Sequence, residues 1–318
     1  MNRLTPLLLC CVLSLSAFAE DLKPFYLASN AVVDFETTIQ NVKKSLKNEG
    51  FEIVGEYAPY EGADVIIVTN NALQKAGIKG LKGSCKAGLL VATQRVSVTK
   101  KGRKVQVAFT DPVYMAAAYR VSVDLKKQRD KLAKALGKQK GFGSKGMSKS
   151  DLKDYHYTFG MEYCDDYIAV SNAGGFTSGQ PLQTFSSYKD AVRTINRSLK
   201  TLSGSSKVFQ VDMPEIKSSV FGISLTENDF SNEMKIMKVI DNNEYSHTAH
   251  LPYEIFVIGN AAYALHPRFR IAINFPDLTM AGDNSFMSIT DAPDDIGRML
   301  TMSVGREYEE ESDDDEFW

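Results

Sequence analysis

The mature part of the chain predicts an α+β protein made of two tandem copies of one domain, each with an antiparallel sheet. Three observations carry that expectation. One amphipathic helix pattern occurs twice, several runs alternate apolar and polar residues with a period of two, and matched segments recur in the same order. The chain has 318 residues, 43% hydrophobic and 24% charged, enough for a sizeable core and about two domains. Lys and Arg number 37 against 39 Asp and Glu, for a net charge of −2. That balance argues against a dedicated nucleic-acid binder, which is normally basic.

The first helix signal runs from Asp34 to Gly50. Phe35, Ile39, Val42 and Leu46 fall at spacings of 4, 3 and 4, one helical face, with Asp34 as N-cap and Gly50 as stop. A second signal over residues 187–200 repeats the spacing with Tyr188, Val192, Ile195 and Leu199. Each is followed by a strand and a proline, FEIVGEYAP ending at Pro59 and KVFQVDMP ending at Pro214. Further on, DVIIVTNNA from Asp64 resembles EIFVIGNAA from Glu254, and KVQVAFTDP resembles SFMSITDAP. In KVQVAFT, Val105, Val107 and Phe109 alternate with Gln106, Ala108 and Thr110. Such a strand packs one face on helices, and its other face meets solvent, the second copy or a ligand.

These readings divide the chain. Residues 1–19 read as a secretory signal, with Arg3, an apolar run from Leu4 to Ser16 and an Ala17-Phe18-Ala19 cleavage site. The run is shorter than the ~20 residues of a bilayer-spanning helix. Residues 20–136 form the first copy and 181–305 the second. Between them, 137–180 is a basic, Gly-rich connection followed by an aromatic segment with Tyr155, Tyr157, Phe159, Tyr163 and Tyr167. A helix from Pro112 is expected to continue to Leu136, and Ser148 with Asp151 reads as a capping box. Residues 306–318 form an acidic tail, expected to be disordered when free. Residues 125–150 carry nine bases and one acid, so weak contact with a membrane surface is open to them.

Three stretches of the first copy, DFETTIQNVKKSLKNEGFEIVGEYA, AGLLVATQRVSVTKKG and VQVAFTDP, resemble family three-hundred-and-two in the series of bacterial domains of unknown function. LGKQKGFGSKGMSKSDLKDYHYTFGMEY, HLPYEIFVIGNAAYALHPRFRIAINFPDL and NSFMSITDAP are similar to a long exported version with two such domains. The resemblance implies a TATA-binding-protein-like topology in each copy, strand–helix–four strands–helix. It implies no activity and supplies no catalytic residues, because fold does not determine function.

Chemistry-bearing residues are few. His247 and His250, three apart, precede a strand and His266 follows it; they are the candidate metal ligands, on condition that the chain folds to bring them together. The two cysteines outside the signal, Cys85 and Cys164, pair as a disulfide or stay as buried free thiols. Gly141-Phe-Gly143-Ser-Lys-Gly146 fits GxGxxG in form only, since a Lys-rich helix precedes it rather than a strand. Motifs for nucleophilic catalysis (GxSxG, HExxH) are absent and no cofactor is expected. The leading expectation is a non-enzymatic exported accessory protein, periplasmic or extracellular. Its two sheets would form one groove for a small apolar or amphipathic ligand, or for a protein partner. Alternatives are an enzyme with a site near His156 and Cys164, or a metal-binding protein using His247 and His250.

Overall fold

The computed structural model describes residues 21–158, 161–168, 180–226 and 230–307. The expected signal segment, Phe159 and the stretch 308–318 lie outside the described residues. The first half runs β1 (Phe25–Ala31), α1 (Phe35–Asn48), β2 (Glu52–Tyr57), β3 (Ala63–Thr69), α2 (Asn71–Gly80), a 3₁₀ segment over Lys86–Ala92, β4 (Gln94–Lys101), β5 (Lys104–Thr110) and α3 (Pro112–Ala118). It continues through α4 (Lys126–Leu136), β6 (Lys140–Phe142) and α5 (Lys149–Lys153). The second half runs β7 (Gln183–Thr184), α6 (Tyr188–Thr201), β8 (Ser205–Met213), β9 (Ser218–Leu225), α7 (Glu233–Ile240), a 3₁₀ turn Thr248–His250, β10 (Tyr253–Ile258), β11 (Ala261–Tyr263), α8 (Pro267–Ala272) and α9 (Ala292–Ser303).

The protein is α+β with two antiparallel sheets. The strand order is β2-β3-β4-β5-β1-β6 in the first and β8-β9-β10-β11-β7 in the second. Without β6 the two orders correspond strand for strand, and α1 and α6 hold the same place. α1 starts where its spacing predicts: the Thr37 N–H donates to Asp34 Oδ1 at 2.7 Å, and Ile39, Val42 and Leu46 are buried. It stops at Gly50, whose φ of 78° is the left-handed conformation that a helix-terminating turn needs.

The structure corrects three expectations. β3 corresponds by position to β9, and β4 to β10, so DVIIVTNNA and EIFVIGNAA are not equivalent. Both are interior strands with buried residues on both faces, and burial alone makes such strands read alike. SFMSITDAP contains no strand: Phe286–Ile289 is a 3₁₀ turn. The counterpart of β5 is the short β11, followed by His266-Pro267 where the first half has Asp111-Pro112. Third, the helix from Pro112 ends at Ala118. Arg120 adopts φ 55° while its N–H and that of Val121 bond the carbonyls of Ala117 and Ala116. Arg120 stands where glycine is usual, and its guanidinium is held by Lys153 O at 2.8 Å and Asp165 at 3.0 Å.

Each sheet has one face under its own helix and the other toward the opposite half. In the first sheet Ile66, Val96, Val98, Val105, Val107 and Phe109 share a core with the α1 residues. The polar face, Arg95, Thr99 and Gln106, is also buried. Gln106 Nε2 donates to Ser246 O at 2.8 Å, the Ser246 N–H donates back to Gln106 Oε1 at 2.9 Å, and Thr99 bonds Thr248 at 2.9 Å. β6 lies in the segment that reads from sequence as a connection, yet it pairs with β1 and extends the first sheet. Ser148 and Asp151 form the capping box of α5. No helix of the described residues is long and apolar enough to cross a membrane.

Candidate functional site: a His–Asp-walled pocket beside β6

A cavity of about 410 Å³ opens where β6, the segment after α7 and the segment after α8 meet. Phe142, Ile240, Phe275 and Leu278 supply apolar wall; Asn242, Tyr245, His247 and Asp277 supply polar groups. That volume and mixture suit a small ligand with both apolar and hydrogen-bonding parts.

His247 is the ordered group in the wall. Asp241, the residue that ends α7, accepts from the His247 N–H at 2.9 and 3.0 Å and lies 2.8 Å from its Nδ1. A carboxylate at Nδ1 fixes the ring orientation and leaves Nε2 free to accept. The imidazole is enclosed by Phe25, Phe142 and Phe275, with ring centroids 5.2, 5.6 and 4.7 Å away. Nε2 points toward Gly143, where a Cβ would come within 3.0 Å of it and within 2.9 Å of Phe25. Gly143 also has φ 96°, so two independent constraints demand glycine there. Next in sequence, Ser144 lines the cavity and its Oγ is buried with no hydrogen-bond partner. The glycines of the GxGxxG-like stretch thus serve close backbone approach, Gly143 to Phe25 and His247 and Gly146 to Asp21.

The other sequence candidates lie elsewhere. His250 is buried with Nδ1 2.9 Å from Arg270 Nη1; burial, then the Arg270 and Arg95 charges, hold it well below the usual histidine range. His247 and His250 both pack against Phe275, with ring centroids 4.7 and 5.3 Å away, His250 edge-on. His266 caps α8, its Nδ1 accepting from the Arg268 N–H at 3.3 Å, and burial followed by Arg268 lowers its pKa to about 3. Among the described residues no group of three His, Cys, Asp or Glu side chains is placed to hold a metal ion. His156 rests on the Tyr163 ring at 4.7 Å, while Cys164 is buried. The Cys85 thiol and burial push the Cys164 thiol up, away from nucleophilic reactivity. Cys85 and Cys164 are both free, and Cys85 Sγ donates to Cys164 O at 2.7 Å.

The aromatic segment packs between the halves. Tyr155 donates to Ala272 O at 3.1 Å, and Tyr167 meets Phe256 and Tyr263 edge-on at 5.8 and 5.5 Å. The space between the two sheet faces is filled by such contacts, including the buried chain Arg95–Glu254–Arg270. The sequence readings missed Asp241, Ser144, Tyr245 and Asp277. Ser144, Tyr245 and Asp277 come to the cavity from three separate segments, with Asp241 behind His247, and no local pattern marks them.

No family model, no curated protein and no solved structure matches the chain.

Proposed function

We propose that this is an exported, non-enzymatic accessory protein that binds a small amphipathic ligand, in the pocket beside β6 rather than between the sheets. The observation that carries the proposal is the cavity itself. It combines an aromatic floor with convergent polar groups and an oriented His247, whereas the inter-sheet faces bury their polar side chains against each other. The finer architecture belongs to the same reading: two tandem TATA-binding-protein-like domains of family three-hundred-and-two, supported by the corresponding strand orders. Export is supported by the signal-like residues 1–19, and N-terminal sequencing should find the mature chain starting at Glu20. An exposed basic surface on α4 remains open to weak contact with anionic headgroups or with a protein partner.

The test is native mass spectrometry of the purified protein, beside the variant Asn243→Trp, which fills the mouth of the cavity. A co-purifying small molecule present in the wild type and lost from the variant supports the pocket. A wild type that carries nothing, and that binds members of an amphipathic ligand library no better than the variant, overturns it.

One observation favours a second reading: an oriented His–Asp pair beside a buried Ser144 hydroxyl without a partner is the material of acyl transfer. Turnover of a chromogenic ester, lost in both Ser144→Ala and His247→Ala, would select it.

A further inference from the structure

A second cavity, of about 450 Å³, lies between the first turns of α1 and the β2–β3 hairpin, on the other face of the first sheet. Its lining carries four acids: Glu36 from α1, Glu56 from β2, Glu61 from the hairpin and Asp64 from β3. Phe35 and Tyr60 complete the lining, the Tyr60 hydroxyl reaching away to Thr248 of the second half at 2.8 Å. Asp64 is the telling residue. It is only 8% exposed, it lines the cavity, and its Oδ1 is buried without a hydrogen-bond partner. Burial, reinforced by Glu56, raises its pKa to about 7. A buried carboxylate oxygen without a donor is costly and ordinarily marks a place where another group completes the site.

What would complete it follows from the surroundings. Two ammonium groups already sit at the rim: Lys43 pairs with Glu56 at 2.7 Å, and Lys100 Nζ lies 4.8 Å over the Phe35 ring. Four acids against these two lysines leave a surplus of two negative charges. The carboxylates are too dispersed for an inorganic ion, since no three acidic or histidine side chains among the described residues converge on one point. Dispersed carboxylates beside the Phe35 ring suit an extended organic cation, whose methylenes lie on the ring while its ammonium groups reach the acids.

We propose that this cavity binds a small alkyl diamine, one ammonium donating to Asp64 Oδ1 and the chain lying against Phe35. This site is separate from the His247 pocket and stands or falls independently of it.

The test is calorimetric titration of the full chain with putrescine at low ionic strength and about pH 8, above the raised Asp64 value. Butane-1,4-diol and Mg²⁺ serve as controls for length and charge. Saturable binding at one site by putrescine, with neither control binding, is expected. Asp64→Asn should weaken it roughly tenfold or more, the scale of one charge-assisted hydrogen bond. Asn at this position removes a buried charge, so circular dichroism should show the fold retained. Should that variant not fold, amide shift changes in the wild type decide: they must centre on Gly62 and Asp64 and be weakened by Glu61→Gln. Absence of saturable binding, equal binding by Asp64→Asn, or displacement of putrescine by equimolar Mg²⁺ would overturn the proposal.

Discussion

Glu233, the first residue of α7, shows how much one side chain controls. It is buried, accepts from the Tyr57 hydroxyl at 3.0 Å, and its Oε1 has no partner. Burial raises its pKa to about 8, from an ordinary 4.5. Because the folded value lies above the unfolded one, the folded state binds the extra proton between those limits. Stability is therefore full below about pH 4.5 and falls as pH rises toward about 8. Glu233→Gln should remove that part of the decline and gain on the order of 2 kcal/mol at alkaline pH. Urea unfolding of both proteins at about pH 5 and pH 9 checks it, and the difference between them must widen with pH. At Gly143, by contrast, any side chain is excluded. Gly143→Ala should cost roughly 1–3 kcal/mol and displace His247, visible as a lower melting temperature and a shifted imidazole resonance.

At the scale of elements, the contact between β2 and β8 joins the edges of the two sheets. Both strands carry a register shift, at residues 53–55 and 207–209, and the two irregularities meet: a Cβ on Gly55 would come within 2.6 Å of Val208 O. On β9, a Cβ at Gly222 would come within 2.0 Å of the Phe209 ring, which covers that glycine from the neighbouring strand. Gly222→Ala should destabilise by roughly 1–3 kcal/mol, and Phe209→Leu in the same chain should recover part of the loss. A double-mutant cycle from denaturant melts measures the coupling; strictly additive losses would show that the ring is not what excludes the side chain. Such features have no counterpart in hydrophobic periodicity. α1 was legible because its N-cap, stop and buried stripe are all local, and α6 because its apolar spacing repeats that of α1. β7 and β11 span only two and three residues, too short for any alternation, and their places are set by pairing with distant strands.

For the whole molecule, what matters is how the halves are held together. Arg95 from β4 and Arg270 from α8 both bind Glu254 on β10, all three buried. Removing the shared carboxylate leaves two buried guanidinium groups uncompensated. Glu254→Ala should cost roughly 3–5 kcal/mol, more than replacing Arg95, Glu254 and Arg270 together by Met. Equilibrium unfolding of the two variants checks the order. The thiols offer a second clasp. Cys85 and Cys164 are in contact across a separation of 79 residues. Treated with a disulfide donor such as oxidised glutathione, they should form one bond while the donor takes up their two hydrogens. The product should be about 2–4 kcal/mol more stable than the reduced protein. Intact mass and alkylation before and after reduction read the bond directly.

The sequence by itself determined the α+β class, the duplicated helix with the caps of its first copy, the capping box at Ser148 and the alternating faces of β5. Each of these depends on neighbours within a few residues, where backbone geometry and side-chain period act. Only the tertiary structure decided which strands correspond, what covers the polar sheet face and where the pockets lie. The resemblance of DVIIVTNNA to EIFVIGNAA reflects shared burial, and burial does not encode position in a sheet. The inward polar residues Arg95, Thr99 and Gln106 read equally well as a solvent face, because a strand's period is the same whether its polar side meets water or a partner. Ser144 with the Asp241–His247 pair, and Asp64 with Glu36, Glu56 and Glu61, become sites only when separate elements are brought to one point.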